Sequence, residues 1–88
     1  MIVFNMISNK NNKVPNQFII HDKGNKYFQS YSSMICKIDE NGKIFLDSQY
    51  WDYSRTTSKY RNEFLKMTTK EIQKSIKNNE IELVNLNN

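Results

Sequence analysis

Apolar and polar residues alternate in the first part of the chain, with the two-residue period of β-strands. Residues 2–7 are rich in strand-forming side chains and predict a first strand. Residues 17–21 predict a second strand, because Pro15 disfavours a helix in this region. The polar run at 8–13 predicts the turn or loop that joins them.

Two turn signals bracket the longest predicted strand, residues 27–38. The first turn, at 22–25, contains Gly24, which readily adopts a positive φ. The second turn, at 39–42, ends in Asn-Gly, a strong hairpin signal, and predicts a returning strand at 43–46. The alternation places Met34, Cys36 and Ile38 on one face of the long strand and Tyr31, Ile35 and Lys37 on the other, with Ile44 and Leu46 sharing the core of Cys36 and Ile38.

The period changes to that of a helix in the second half of the chain. Thr57, Tyr60, Phe64 and Met67 recur at helical spacing, and Asp52 or Ser54 is the expected N-cap.

A second helix is predicted from Thr68 or Thr69, because Thr68 and Glu71 match a capping box. Ile72 and Ile76 form its apolar stripe, and Asn78-Asn79 ends it. A last strand follows, with Ile81, Leu83 and then Val84 and Leu86 as its apolar positions.

These elements predict a single domain over residues 1–88. Its fold class is α+β, with a small, mostly antiparallel β-sheet and one or two α-helices packed on one face. A chain of this length is too short for two independent cores.

The formal charge is +4, from 13 Lys and Arg residues against nine acidic ones. This balance attracts nucleic acid or an acidic protein surface. Lys outnumbers Arg strongly, however, and the same composition is typical of an AT-rich genome. Arg is the residue favoured for base and phosphate contacts, so composition bias is the preferred interpretation.

Cysteine usage and hydropathy indicate the compartment. Cys36 is the one cysteine and has no internal disulfide partner, whereas small secreted domains usually depend on several disulfides. No apolar run approaches the roughly 20 residues that cross a bilayer. The apolar start lacks the cationic region and cleavage site of a leader. We expect a cytoplasmic protein with no membrane partner.

The sequence offers little catalytic chemistry. Cys36 and His21 are single, and Cys36 lies on the apolar side of a predicted strand, where a thiol is usually a small buried hydrophobe. One His and one Cys do not make a tight zinc or iron site. The oxygen ligands at 39–41 match a turn better than a calcium loop. We therefore predict no enzyme activity, catalytic residue, metal or cofactor.

Residues 51–61 combine aromatics, cations and hydroxyls at the point where a strand gives way to a helix, and Tyr50 directly precedes them. Free amides at a helix N-terminus favour anions, and aromatic side chains beside cations suit single-stranded nucleic acid or a protein interface. We predict a core position for Trp51 and Tyr60, and a solvated face for the basic row Lys70, Lys74 and Lys77. The predicted partner-binding residues are Tyr50, Tyr53, Arg55, Lys59 and Arg61.

Three runs at 27–31, 42–47 and 50–65, with the ending at 69–87, resemble a small uncharacterised domain of bacteriophage and mobile-element proteins from low-GC bacteria. The resemblance brings no catalytic residues and leaves residues 1–26 outside it. It implies a phage-like setting, in which small proteins commonly bind a host machine. Anti-CRISPR proteins are one such class.

The resulting hypothesis is a non-enzymatic protein that binds and inhibits a host defence protein or nucleoprotein complex, such as a Cas effector, in the bacterial cytoplasm. The alternative is a small basic regulator that binds nucleic acid. A structural or self-associating module is a third interpretation, and the sequence leaves the oligomeric state and the role of residues 1–26 open.

Overall fold

The computed structural model describes residues 1–87 and confirms the α+β class. Within them the elements follow one another as β1 Ile2–Ile7, β2 Lys13–Asp22, β3 Asn25–Ser30, β4 Ser33–Ile38, β5 Ile44–Asp47, α1 Arg55–Leu65, α2 Thr69–Lys77 and β6 Ile81–Val84.

The strands of this part of the chain form one six-stranded sheet, in the order β1-β2-β3-β4-β5-β6. Neighbouring strands are antiparallel from β1 to β5, and β6 then pairs parallel with β5. The parallel pair requires a crossover, which α1 and α2 supply. Both helices therefore lie between β5 and β6 in sequence, and β1 and β6 are the sheet edges.

The predicted turns are confirmed. Lys23 and Gly24 have φ of 53° and 86°, and the flanking residues pair, as in a two-residue type I′ hairpin. In the β4–β5 turn Gly42 has φ of 84°, while the Asp39 carboxylate accepts the amides of Asn41 and Lys43 at 2.9 Å. The positive φ of a glycine thus marks both turns, and the Asp39 side chain stabilises the second.

The single long strand predicted over residues 27–38 is wrong. It is broken into β3 and β4 by a turn in which Tyr31 has φ of 57°. The Tyr31 amide donates to the Asn16 carbonyl of β2 at 2.7 Å, so a neighbouring strand helps to hold this turn, together with the bond from the Gln29 side chain to the Tyr31 carbonyl. Neither Gly nor Asn marks this turn in the sequence.

The predicted faces of this region are also wrong at Ile35. Phe28 pairs with Cys36 and Gln29 pairs with Met34, which leaves Ile35 as the extra residue of a β-bulge. Both Ile35 and Cys36 are fully buried in the same core, although strict alternation would separate them.

The core lies between the sheet and the two helices. Phe28 stacks on Phe64 of α1 with ring centroids 6.0 Å apart, and the Ser30 and Thr57 hydroxyls lie 3.0 Å apart. Its fully buried apolar side chains are Phe28, Ile35, Cys36, Leu46 and Ile72. Because residues alternate along β3, the other face of the sheet carries Tyr27, away from α1.

Both helices begin as local chemistry requires. Ser54, and not Asp52, caps α1 and accepts the Thr57 amide at 3.1 Å. Thr68 and Glu71 form the predicted capping box of α2. Helix α1 ends at Leu65, so Met67 lies beyond it and packs against the core from the connection to α2.

Candidate interaction surface at the start of helix α1

Arg61 organises the approach to helix α1. Its side chain is 0% exposed and its five N–H groups all have acceptors. It donates to the Trp51 carbonyl at 2.6 Å and to the Asp52 carboxylate at 3.2 Å. The remaining bonds reach the Asn62 side chain and the Thr69 hydroxyl. The guanidinium also lies over the Trp51 ring, 5.3 Å from its centroid.

This geometry corrects the prediction that Arg61 contacts a partner. A fully buried, fully hydrogen-bonded guanidinium holds the 51–52 segment and the start of α2 against α1. One sequence signal could have revealed it: Thr57, Arg61 and Leu65 recur every four residues and form the buried stripe of α1.

Tyr50 and Tyr53 are brought together by this anchored segment. Their rings meet edge to face, with centroids 5.7 Å apart. Tyr53 is 55% exposed, whereas Tyr50 is partly buried and packs against the core. Trp51 and Tyr60 also pack against the core, as predicted. Tyr53 is thus the aromatic side chain that this segment presents to solvent.

Arg55 and Lys59 are exposed on successive turns of α1. The Lys59 ammonium lies 5.2 Å from the centroid of the Tyr60 ring. It also borders a shallow depression with Glu63 and with residues 8–10 of the β1–β2 turn. The exposed face of α1 therefore borders a turn that is distant in sequence.

We call Tyr53, Arg55 and Lys59, with Tyr50 beneath Tyr53, the α1 surface. The adjacent acid Asp52 is held by neighbours, because its carboxylate accepts the Ser58 hydroxyl at 3.0 Å as well as Arg61. The first turn of α1 contains no acidic residue. An exposed tyrosine beside two exposed cations on a rigid support suits an acidic protein surface or a phosphate-bearing partner.

The Cys36 thiol is buried under the helices. Burial raises its pKa well above the ordinary value, and the nearby positive charge of Arg61 opposes this only in part. The thiol therefore stays protonated at neutral pH and is a poor nucleophile. His21 lies on β2, two strands from β4, and its ring meets Phe4 edge to face. The structure does not bring the two side chains together.

A second feature, which the sequence did not single out, lies on the sheet face away from the helices. The Lys37 ammonium lies between the Tyr27 and Phe45 rings, at 5.7 and 5.5 Å from their centroids. Lys43 lies 5.3 Å from Phe45 and also pairs with Glu82 at 3.1 Å. We call Tyr27, Lys37, Lys43 and Phe45 the open-face cluster. Cross-strand register, which the sequence does not display, places these residues side by side.

Two other features were searched for in residues 1–87. No group of three or more His, Cys, Asp or Glu side chains in this range is placed to hold a metal ion. None of the helices described has the length and apolar character needed to cross a membrane.

Together, the fold and the α1 surface define a small α+β domain with a basic, aromatic surface beside its first helix. The chain belongs to DUF8033, a family of unknown function, which it matches over residues 1–82. No curated protein and no solved structure matched the chain. The family match includes residues 1–26, which the sequence resemblance left out, so β1 and β2 are part of the family domain.

Proposed function

We propose that this domain is a non-enzymatic binding protein whose α1 surface engages a host protein. The observation that carries the proposal is the contrast within one segment: Arg61 is buried and fixed, while Tyr53, Arg55 and Lys59 are left exposed on the support it makes. Aromatic and Arg side chains on a rigid element are the groups that dominate protein interfaces, because little entropy is lost when they bind.

The biological setting of the proposal comes from the resemblance to phage and mobile-element proteins. In this setting the partner is a bacterial defence protein or nucleoprotein complex in the host cytoplasm, and a Cas effector is the first to test. Such effectors hold nucleic acid in positively charged channels, which do not attract a basic protein. A basic protein of this size inhibits by occupying an acidic surface that the effector needs for assembly or for a partner subunit.

A second candidate function, nucleic-acid binding, is favoured by the open-face cluster. Its lysines interleave with aromatic rings on an uncovered sheet face, the arrangement by which single strands are held through base stacking and phosphate contacts. Lys43 is partly neutralised by Glu82, which weakens this candidate relative to the α1 surface.

The test is binding to a panel of purified Cas effectors, combined with phage plaque assays on a CRISPR-immune host that expresses the protein. The site variant is Arg55→Gln/Lys59→Gln. The matched control is Lys70→Gln/Lys74→Gln, which removes the same two charges from exposed positions of α2. We expect the site variant to lose binding and plaque rescue, while the control keeps both.

Nucleic-acid binding is measured in parallel with a fluorescent single strand at low and moderate salt. Phosphate-driven binding weakens log-linearly with salt, by about one power of the salt concentration per phosphate contact. Binding with that slope, lost in Lys37→Gln/Lys43→Gln and kept in Arg55→Gln/Lys59→Gln, would make the second candidate the working function. Equal loss in the site variant and its control would show that net charge, and not the α1 surface, drives binding.

A further inference from the structure

Strand β1 is an edge of the sheet, and the segment formed by Met1 and β1 carries most of the exposed large hydrophobic side chains of residues 1–87. Eight large hydrophobic side chains are exposed within residues 1–87. Five of them belong to the first seven residues: Met1, Ile2, Val3, Phe4 and Ile7. The four strand residues are each 47–61% exposed. Scattered apolar residues are ordinary on a surface, but a concentration on one strand indicates a partner.

The backbone of β1 is equally unprotected. Within residues 1–87 its one sheet neighbour is β2, so the N–H and C=O groups on its outer side have no strand partner there. Natural sheets usually protect such edges with charges, prolines or short strands. Residues 2–7 contain no charged residue and no proline. A bulge does occur, but only after Asn5, so the register of residues 2–5 with β2 is regular.

The opposite edge of the sheet is protected. Strand β6 has four residues, and its Glu82 forms an ion pair with Lys43 at 3.1 Å. The chain after β6 turns back over the sheet end, where the Leu86 amide donates to Asp47 and Asn87 bonds the Met34 backbone. Pairing of β1 with a neighbour's β6 would place Glu82 beside an apolar strand. The asymmetry of the two edges therefore disfavours open-ended, head-to-tail assembly.

We propose that β1 pairs antiparallel with β1 of a second copy of this chain, giving a two-fold symmetric dimer with one continuous sheet. An antiparallel strand edge is complementary to itself, because a two-fold axis brings each donor to an acceptor of the other copy. Each copy carries a net charge of +4, so two copies repel each other over most of their surfaces. The side chains of β1 are uncharged, and two copies can therefore meet along β1 without bringing like-charged side chains of this strand together.

The exposed apolar patch of residues 1–7 has about the size that an interface with a second copy requires. About a tenth of the surface of a small protein is covered in a typical interface, which for the 6059 Å² of this chain is roughly 600 Å². Five large side chains, each about half exposed or more, supply an area of this order. A groove of about 670 Å³ continues the patch, with Phe4 and Ile19 on the sheet and Phe64 on α1 among its lining residues. In the dimer the two grooves lie on the same side of the joined sheet.

The first test is sedimentation equilibrium of the intact protein over a concentration series, which separates the 10.5 kDa chain from its dimer. The disrupting variant is Val3→Lys, since Lys on an edge strand opposes pairing. The matched control is Leu83→Lys, which adds the same charge to an exposed position on the opposite edge. We expect a wild-type dimer, at least about tenfold weaker association in Val3→Lys, and no change in Leu83→Lys.

Amide hydrogen exchange then tests the geometry. The amides of residues 2–5 that face away from β2 should be protected in the wild type at high concentration and should exchange rapidly in Val3→Lys. The amides of β3 and β4 should remain protected in both proteins. A wild type that stays monomeric throughout the series would overturn the proposal, and would leave the edge to an extended peptide of another protein. A dimer that survives Val3→Lys, or that dissociates in Leu83→Lys, would overturn it equally. None of these outcomes depends on the α1 surface.

Discussion

Arg55 and Arg61 lie in the same helix, and the fold uses them in opposite ways. Arg55 is exposed in the first turn of α1, where it has no ion pair within the described residues. Arg61 is fully buried, with five hydrogen bonds and an ion pair to Asp52. Residue type alone therefore does not distinguish a structural cation from a surface cation. The position of each residue relative to the buried stripe of α1 does.

The largest expected effect comes from removing the buried cation. Arg61→Met removes all five hydrogen bonds of the guanidinium and leaves the Asp52 carboxylate with the Ser58 hydroxyl as its donor, and we expect a loss of about 3–4 kcal/mol in the free energy of unfolding. Urea denaturation measures it. Arg61→Lys keeps the charge but not the five-donor fork, so it should also destabilise the domain. A loss below about 1 kcal/mol in Arg61→Met would mean that the network contributes little to stability.

A second buried charge, Asp47, should give an intermediate effect with a pH dependence. Burial raises the pKa of its carboxyl group, but hydrogen bonds from the Leu86 and Tyr50 amides, the Asn87 side chain and the Gln49 amide outweigh burial and hold the pKa below its ordinary value. Asp47→Asn removes acceptor capacity from these donors, and we expect a loss of about 1–3 kcal/mol at neutral pH.

The sign of the pH dependence follows from the lowered pKa. The unfolded chain binds a proton at Asp47 more readily, so the stabilising contribution is present above the ordinary pKa of about 3.9 and is lost as the pH falls through the folded value. Urea midpoints should therefore fall more steeply below about pH 4 in the wild type than in Asp47→Asn. Glu71, whose pKa is also lowered, by its bonds with Thr68, titrates in both proteins and cancels in the comparison. If the urea midpoints of the two proteins fell in parallel as the pH is lowered, the stabilising role assigned to the Asp47 carboxylate would be contradicted.

The smallest expected effect is at Arg55. Arg55→Gln removes a cation from the positive end of the helix dipole, so stability should change by no more than about 0.5 kcal/mol and in the stabilising direction. The change in stability is measured by thermal unfolding of Arg55→Gln. Lys70→Gln, at an exposed position in the first turn of α2, is measured in parallel for comparison. A clear destabilisation in Arg55→Gln alone would show that this residue also has a structural role, and would remove the contrast with Arg61.

Local sequence chemistry was sufficient for much of the fold. The capping box at Thr68 and Glu71 and the Asn-Gly turn at Gly42 specify hydrogen bonds and backbone angles within a few residues. Of the candidate site, Tyr53, Arg55 and Lys59 are exposed, as a partner surface requires, and their binding role stays a prediction. Arg61 was predicted wrongly because its acceptors come from residues up to ten positions away and from the next helix.

By itself, the sequence determined the fold class, both Gly-containing turns and the capping box of α2, because those signals act over short distances; it left the N-cap of α1 open between Asp52 and Ser54. The tertiary structure decided the break at Tyr31, the bulge at Ile35 and the burial of Arg61. At Tyr31 the positive φ is held by a hydrogen bond to Asn16 on a neighbouring strand, and at Ile35 the register with β3 inserts the extra residue. The break and the bulge depend on which strands meet, and no pattern along the chain records that. The four-residue spacing of Thr57, Arg61 and Leu65 marks a buried stripe, but the acceptors that allow a charge to be buried there come from the tertiary structure.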